Sequence, residues 1–300
     1  MTIVDWRTLS TRELARCYEV ERAAWSNRFH WETADTWLRL EAARSAGALP
    51  GLVAYDGSRP VGWCFFLRHR GTIQIGGLSA GAARTVDALL DAMLASPDVA
   101  GAEDVMAFVP EMGAPMQPSL RQRAFEVRPF QYLVVALRPG TATEYACRSY
   151  HAGRLTAIAD LLARAYPGAD RARPFAPHGS PAAWMEYTSQ LLTQTGCGAL
   201  LPWASVVEEA PDRPGRLIGA VLTTAIERGT GHIAQIAVDA AYQGQGIGSR
   251  LLRTALTRLR QRGFSRATLL VSSSNATALK LYTRLGFERR GAFLSAWRAA

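Results

Sequence analysis

The chain is short of the residues that staple or mark many specialised proteins. Its 300 residues hold four cysteines. Cys17, Cys64, Cys147 and Cys197 lie far apart, with no CxxC and no histidine at ligand spacing. That pattern excludes a disulfide framework and a zinc site, so no metal is expected. Cys197, flanked by glycines, reads as a small apolar residue entering a strand. Lys280 is the one lysine, and arginine supplies the rest of the 34 basic residues. The densest basic clusters, Arg258–Arg262 and Arg68–Arg70, do not interleave with aromatics. The net charge of +9 invites a nucleic-acid surface, but this scatter argues against one, and the charge better suits an anionic cofactor or substrate. No apolar run approaches the roughly 18 residues of a membrane helix; Tyr132–Leu137 is only strand-length. The opening "MTIVDWRTLS" has no charged-then-apolar export signal, which makes the cytoplasm the expected location and excludes a membrane partner.

With 48% hydrophobic and 20% charged residues, the chain can bury sizeable cores, and its length suggests two domains. Helical spacing appears in "STRELARCYEVERAAW", with Ser10 or Thr11 as the cap, and in "WETADTWLRLEAARSAG". Two strands follow across an Asp56-Gly57 turn. Then come a helix in "RTVDALLDAMLAS", a strand in "DVMAFVP" and a long strand in "EVRPFQYLVVAL". After a Pro/Gly/Thr-rich linker near Arg138–Tyr145 the same order returns, ending in the strand "FERRGAFLSAWRA".

The echo extends to residues. "RPVGWCFF" matches "RLIGAVLTT" about Gly62 and Gly219, and "RAFEVRPFQYLVV" matches "LGFERRGAFLSAW". The offsets are about 160 residues, which indicates a tandem repeat of a whole domain. The fold class is α+β: two tandem domains, each a mixed, mostly antiparallel sheet flanked by helices. Residues 1–138 form the first, 139–146 a linker and 147–300 the second.

Between an apolar strand at Ile233–Val238 and an amphipathic helix lies "DAAYQGQGIG". Glycines there leave the first N–H groups of the helix accessible, a suitable seat for phosphate oxygens. The loop lacks the GK[ST] of a Walker A motif. It also lacks the GxGxxG and downstream acid of a dinucleotide fold. On these residues alone, a glycine-rich turn without a ligand stays open.

Gln243-Gly244-Gln245-Gly246-Ile247-Gly248 resembles the Q/R-x-x-G-x-G/A signature of the GNAT superfamily of N-acetyltransferases. "NATALKLYTRLGFE", Asn275 to Glu288, is similar to that family's second cofactor motif. The resemblance covers about Tyr145 to Ala300. It implies an acyltransferase that moves an acetyl group from acetyl-CoA, as donor substrate, to an amine acceptor by direct attack in a ternary complex. The loop Gln243–Ser249, with Gly244, Gln245, Gly246, Ile247 and Gly248, would cradle the pyrophosphate. Ile236, Ala237 and Val238 would part from the next strand and pair with the pantetheine arm, the Val238 N–H polarising the thioester. Asn275, which reads independently as a helix N-cap, would also touch the arm. Tyr282 would protonate the departing thiolate, a transfer between groups of roughly pKa 10 and 8.5.

For the general base, the resemblance points to His232, which strict alternation puts on one face with Ala234, Ile236 and Val238. Glu227 is the next candidate. Glu208 and Glu209 read as exposed turn residues. The loop Pro167–Pro181 would line the acceptor site, with Asp170, Arg171, Arg173, Phe175 and His178 as candidates. In the first half, "IQIGGLSAGAARTVDALL" is shorter and lacks the signature, and "PEMGAPMQPSLRQRAFE" places prolines where the second motif's helix would lie. The first domain is therefore expected to have lost its CoA loop. A protein that binds acyl-CoA without turnover, as a sensor, is the alternative. Nothing in the sequence identifies the acceptor or the oligomeric state.

Overall fold

The computed structural model describes residues 1–138, 145, 147–151, 153–168, 174–176, 179–193 and 197–299. These residues form eight helices and thirteen strands, divided between two compact units.

Unit 1 comprises Met1–Gln131, Ser272–Ser274 and Arg290–Ala300. It opens with β1 (Thr2–Asp5), α1 (Thr11–Phe29) and α2 (Ala34–Ser45). Ser10 caps α1 through a reciprocal box with Glu13: the Glu13 N–H donates to Ser10 Oγ, and the Ser10 N–H to the Glu13 carboxylate. The hairpin β2 (Gly51–Asp56) and β3 (Arg59–His69) turns at Gly57, whose φ of 60° needs glycine. β4 (Thr72–Ala80) runs antiparallel to β3, and α3 (Ala83–Leu94) crosses over to β5 (Asp104–Pro110), parallel to β4. Val86, Leu89, Leu90 and Met93 form the buried stripe of α3. Where the sequence puts prolines, only a six-residue helix forms, α4 (Gln117–Gln122), with proline in its first turn.

Unit 2 comprises Tyr132–Val271 and Asn275–Arg289. It contains the far end of β6 (Glu126–Ala136), then β7 (Arg148–Ser149), α5 (Leu155–Ala165), α6 (Pro181–Thr193) and β8 (Ala199–Leu200). β9 (Val206–Ala210), β10 (Arg213–Glu227) and β11 (Thr230–Val238) make an antiparallel meander. α7 (Ile247–Gln261) crosses to β12 (Arg266–Ser272), parallel to β11, and α8 (Ala276–Arg284) precedes β13 (Glu288–Ala299). One core, with Leu251, Leu252, Ala255 and Leu259 of α7, fills one face of this sheet. A second, with Ile158, Leu161, Leu162 and Trp184 of α5 and α6, fills the other.

Both units use one glycine for the same purpose. A Cβ on Gly62 would lie 2.8 Å from Thr85 of α3, and one on Gly219 2.7 Å from Ile247 and Leu251 of α7. Each lets the crossover helix sit against its sheet, which accounts for the repeated Gly62/Gly219 signal.

The units depart from the boundaries read in the sequence. Of the linker 139–146, residues 139–144 and 146 lie outside the described residues. The last strand, assigned by its position to the second domain, belongs from Arg290 onward to unit 1. Seven consecutive residues, Phe293 to Ala299, pair antiparallel with Pro110 back to Asp104 of β5. Leu133 and Val135 of β6 instead join a core of unit 2. Alternation along a segment identifies a strand but not its partner, and here each half of the chain lends the end of its last strand to the other unit.

Phe293 is buried against Phe29, Trp25 and Phe108 of unit 1, with ring centroids 5.2–5.8 Å away. Phe293→Ala should destabilise unit 1 by about 3–5 kcal/mol, read as a shifted urea midpoint at unchanged slope. An unshifted midpoint would mean that β13 is not part of that core.

Candidate active site

The site is built where β11 leaves β12. The two strands pair in parallel from Thr230↔Arg266 to Ile233↔Leu269 and no further, although β12 continues to Ser272. At the same point β11 slips by one residue against β10: Leu222 pairs with Gln235, Thr223 with Ile233, and Ala234 bulges. The bulge reverses the side-chain parity that strict alternation predicts. Ile233, Ile236 and Val238 share the face of α7, while Ala234 and Ala237 pack toward α5 and α6. His232 is thereby removed from the face of Ile236 and Val238, a correction to the sequence reading.

Beyond the bulge, the Asp239 N–H donates to the Ile218 carbonyl at 2.9 Å. With the register Ala220↔Ala237, this makes the odd-numbered residues of β11 the ones bonded to β10. Ala237 is thus engaged. The N–H and C=O groups of Ile236 and Val238 face the opening left by β12. The Ile236 carbonyl accepts from Tyr166 Oη at 3.1 Å and the Val238 carbonyl from Gln243 Nε2 at 3.2 Å. Two strand N–H groups remain aimed into the opening.

The glycine loop follows. Gly244 and Gly246 have φ of 79° and 78°, the left-handed region that glycine adopts without strain. Gly246 is the N-cap of α7, and no side chain caps that helix. The first N–H groups at Ile247, Gly248 and Ser249 have no intrahelical acceptor and carry the positive end of the helix dipole. Ile247 anchors the turn by burying its side chain.

Ion pairs that the sequence reading did not identify brace this loop. Asp239, 3% exposed, receives Arg164 Nε at 2.7 Å, Arg216 Nη2 at 3.2 Å and the Ala241 N–H at 3.1 Å. Burial opposes its charge, but these hydrogen bonds hold the carboxyl below its usual range. Arg250 donates to the Gln245 carbonyl at 3.0 Å and to Glu208 at 2.7 Å. Glu208 and Glu209 therefore lie on strand β9 rather than in a turn, and Glu209 pairs with Arg148 and Arg154.

Asn275 caps α8, its Oδ1 accepting from the Ala278 N–H at 3.1 Å. Two turns on, Tyr282 is 3% exposed and packs on Phe287 at 5.8 Å, and its hydroxyl makes no hydrogen bond to a described residue. Burial raises its phenol pKa, and the nearby Tyr166 hydroxyl raises it further. Tyr166, directly after α5, is a site residue that sequence reasoning missed. It accepts from Gln235 Nε2 at 2.8 Å, and Gln235 Oε1 accepts from Tyr187 Oη at 2.7 Å. Burial pushes the Tyr166 phenol up to about 12. The available signal was Gln235, a polar side chain amid apolar strand residues that had to find partners. Of the loop candidates, Phe175 packs on Tyr166 at 5.2 Å; Asp170, Arg171, Arg173 and His178 lie outside the described residues.

His232 is 3% exposed, stacked on Tyr132, with Nδ1 2.8 Å from Thr268 Oγ1. Burial lowers its pKa to about 3, so the imidazole is neutral at pH 7. Glu227 ends β10 opposite Thr230, with Oε2 buried and without a hydrogen bond. No group of three or more potential metal-ligating side chains occurs among the described residues. No helix among them is long and apolar enough to cross a membrane.

A strand parted from its parallel neighbour, followed by an uncapped glycine-led helix, is the arrangement that the family resemblance implies. Residues 155–287 match the acetyltransferase (GNAT) family, so this segment is a GNAT domain. The chain is similar to the mycothiol acetyltransferase of Salinispora tropica, 35% identical over 147 residues, covering 44% of this chain and 46% of that one. The matches span less than half the length of such curated relatives. A GCN5-related N-acetyltransferase from Sphaerobacter thermophilus has the same fold across 99% of this chain and 95% of its own, with a TM-score of 0.62 at 17% identity. A tandem GNAT protein from the clavulanic acid biosynthesis pathway covers 84% of this chain and 83% of its own, with a TM-score of 0.50 at 13% identity.

The neutral, buried His232 fixes a pH dependence. The unfolded chain protonates this imidazole near pH 6.5 and the folded one near 3. Stability is therefore full above about pH 6.5 and falls by up to about 1.4 kcal/mol per pH unit below it. His232→Gln should flatten the fall of Tm between pH 7 and 5; an unchanged slope would mean that this histidine is not held neutral.

Proposed function

We propose that unit 2 transfers an acetyl group from acetyl-CoA to an amine, by direct attack within a ternary complex. The observation that carries this reading is the open edge of β11 at Ile236 and Val238, beside the uncapped start of α7. Acetyl-CoA supplies an activated thioester and a thiolate leaving group. The N–H groups at Gly244–Ser249 bind its pyrophosphate, aided by the dipole of α7. The N–H groups of Ile236 and Val238 hold the pantetheine arm, and the Val238 N–H draws charge onto the thioester oxygen as the amine attacks. Asn275 uses its oxygen as a cap and has its amide NH₂ left for the same arm. Ala237 supplies spacing, since its backbone is bonded to β10.

Tyr282 is the general acid. Its phenol is protonated well above neutral pH and free to donate, and it delivers that proton to the departing sulfur. The proton released by the amine goes to His232 or Glu227 through water. With an imidazole pKa near 3, His232 is a weak acceptor, and an amine that arrives already neutral makes the smallest demand on it.

Calorimetric titration should give one acetyl-CoA per chain. Tyr282→Phe should keep acetyl-CoA affinity within twofold while lowering turnover of an amine acceptor about 100-fold. Turnover as in the wild type would remove the phenol from the chemistry, and binding without turnover of any amine would favour a sensor. Gly246→Arg puts a bulky side chain at a left-handed position beside Arg250. It should weaken acetyl-CoA at least tenfold and lower Tm by only a few degrees; unchanged affinity would remove the loop from the binding site.

A further inference from the structure

Unit 1 repeats the scaffold with one substitution that leaves a space. The Gly81 N–H donates to the Val61 carbonyl at 3.3 Å, as the Asp239 N–H donates to the Ile218 carbonyl at 2.9 Å. Gly81 thus holds the position of Asp239. By the same offset as Gly62 and Gly219, Arg59 holds the position of Arg216. In unit 2 the Asp239 carboxylate pairs with both Arg216 and Arg164 and so ties α5 to the sheet. In unit 1 that position carries no carboxylate, and a cavity of 670 Å³ opens there, lined by Arg16, Arg59 and Arg84 together with Trp63 and Glu21. None of the three guanidinium groups makes an ion pair or side-chain hydrogen bond among the described residues.

Two carboxyl groups also line the cavity, Asp56 and Glu21. Asp56 is exposed and pairs with none of the arginines. Glu21 is 7% exposed and accepts from Trp25 Nε1 at 3.1 Å; burial raises its pKa and so disfavours its charge. Three unpaired cations around an apolar-floored space of this volume suit a small ligand with an anionic head. The segment after β5 keeps such a ligand off the strand edge: Ala114 N–H donates to the Ala80 carbonyl at 3.0 Å, and Gly113 lies so close to that oxygen that a Cβ would come within 2.3 Å.

We infer that this cavity of unit 1 binds a small organic anion with an apolar body, its acidic head on Arg59, Arg84 and Arg16. The inference does not depend on acetyl transfer by unit 2. The probe is 8-anilinonaphthalene-1-sulfonate, an aromatic body with one sulfonate, titrated by fluorescence with saturating acetyl-CoA present throughout. One saturable site is expected. Gly81→Asp, at a position where an added Cβ meets nothing within 4 Å, restores the missing carboxylate and should weaken the probe at least tenfold. Gly81→Asn, equal in size and uncharged, should stay within threefold, and Arg59→Met should again weaken binding at least tenfold. No saturable site, or equal affinity for the wild type, Gly81→Asp and Arg59→Met, would overturn the inference. Equal losses in Gly81→Asp and Gly81→Asn would make the effect steric and would overturn it as well.

Discussion

The candidate site depends on β11 ceasing to be a shared strand. In a strand flanked on both sides each backbone amide is used, so a ligand can bind a strand edge only where a neighbour withdraws. Here β12 withdraws after four residue pairs, and a bulge at Ala234 changes the aim of β11 at that place. Bulge and parting together turn Ile236 and Val238 outward without exposing the rest of the sheet. The cost is a pair of strand amides without protein partners. A buried amide left unpaired costs about 1–3 kcal/mol, which an acyl-CoA arm would recover on binding.

Keeping that edge open requires a rigid surround. Asp239 ends the strand and draws Arg164 of α5 and Arg216 of β10 to one carboxylate. Arg250 links the loop carbonyl of Gln245 to Glu208 of β9. The positions of the strand end, the helix start and the loop between them are thus held by charge-assisted bonds that leave the loop N–H groups outward. An anion bound there meets a structure that needs little reordering, which is where binding free energy is otherwise lost.

The sequence disclosed what local chemistry determines. The Ser10–Glu13 box, the Asp56-Gly57 turn and the Asn275 cap need only neighbouring residues. The loop from Gln243 to Gly248 stands out because glycine is costly there without a backbone reason. Gly62 and Gly219 were visible through repetition, and the structure supplies the reason, a helix against each. Three features were hidden for three physical reasons. The bulge is an alanine, with no compositional mark, yet it moves His232 off the face of Ile236. The partner of β13 is a choice among strands of equal alternation. The ion cluster joins Asp239 to an arginine 75 residues earlier, and long-range pairing of charges leaves no pattern along the chain. Tyr166 was hidden in the same way, since its role rests on Gln235 and the Ile236 carbonyl, about 70 residues away.

Duplication then separates what the scaffold requires from what binding requires. Both units keep the meander, a glycine beneath the crossover helix, a one-residue slip in the strand before that helix, and a parallel pairing that stops after four residues. These belong to the architecture, because unit 1 retains them without the Q-x-x-G-x-G loop. What differs is the treatment of the open edge. In unit 1 the chain closes over Ala80 with its own Gly113 and Ala114, a contact that only glycine permits at that distance. In unit 2 no backbone segment among the described residues takes the equivalent place on Val238, and the carboxylate that unit 1 lacks at Gly81 is present as Asp239. One copy satisfies its strand edge internally and the other leaves it open, so the scaffold itself does not require either solution.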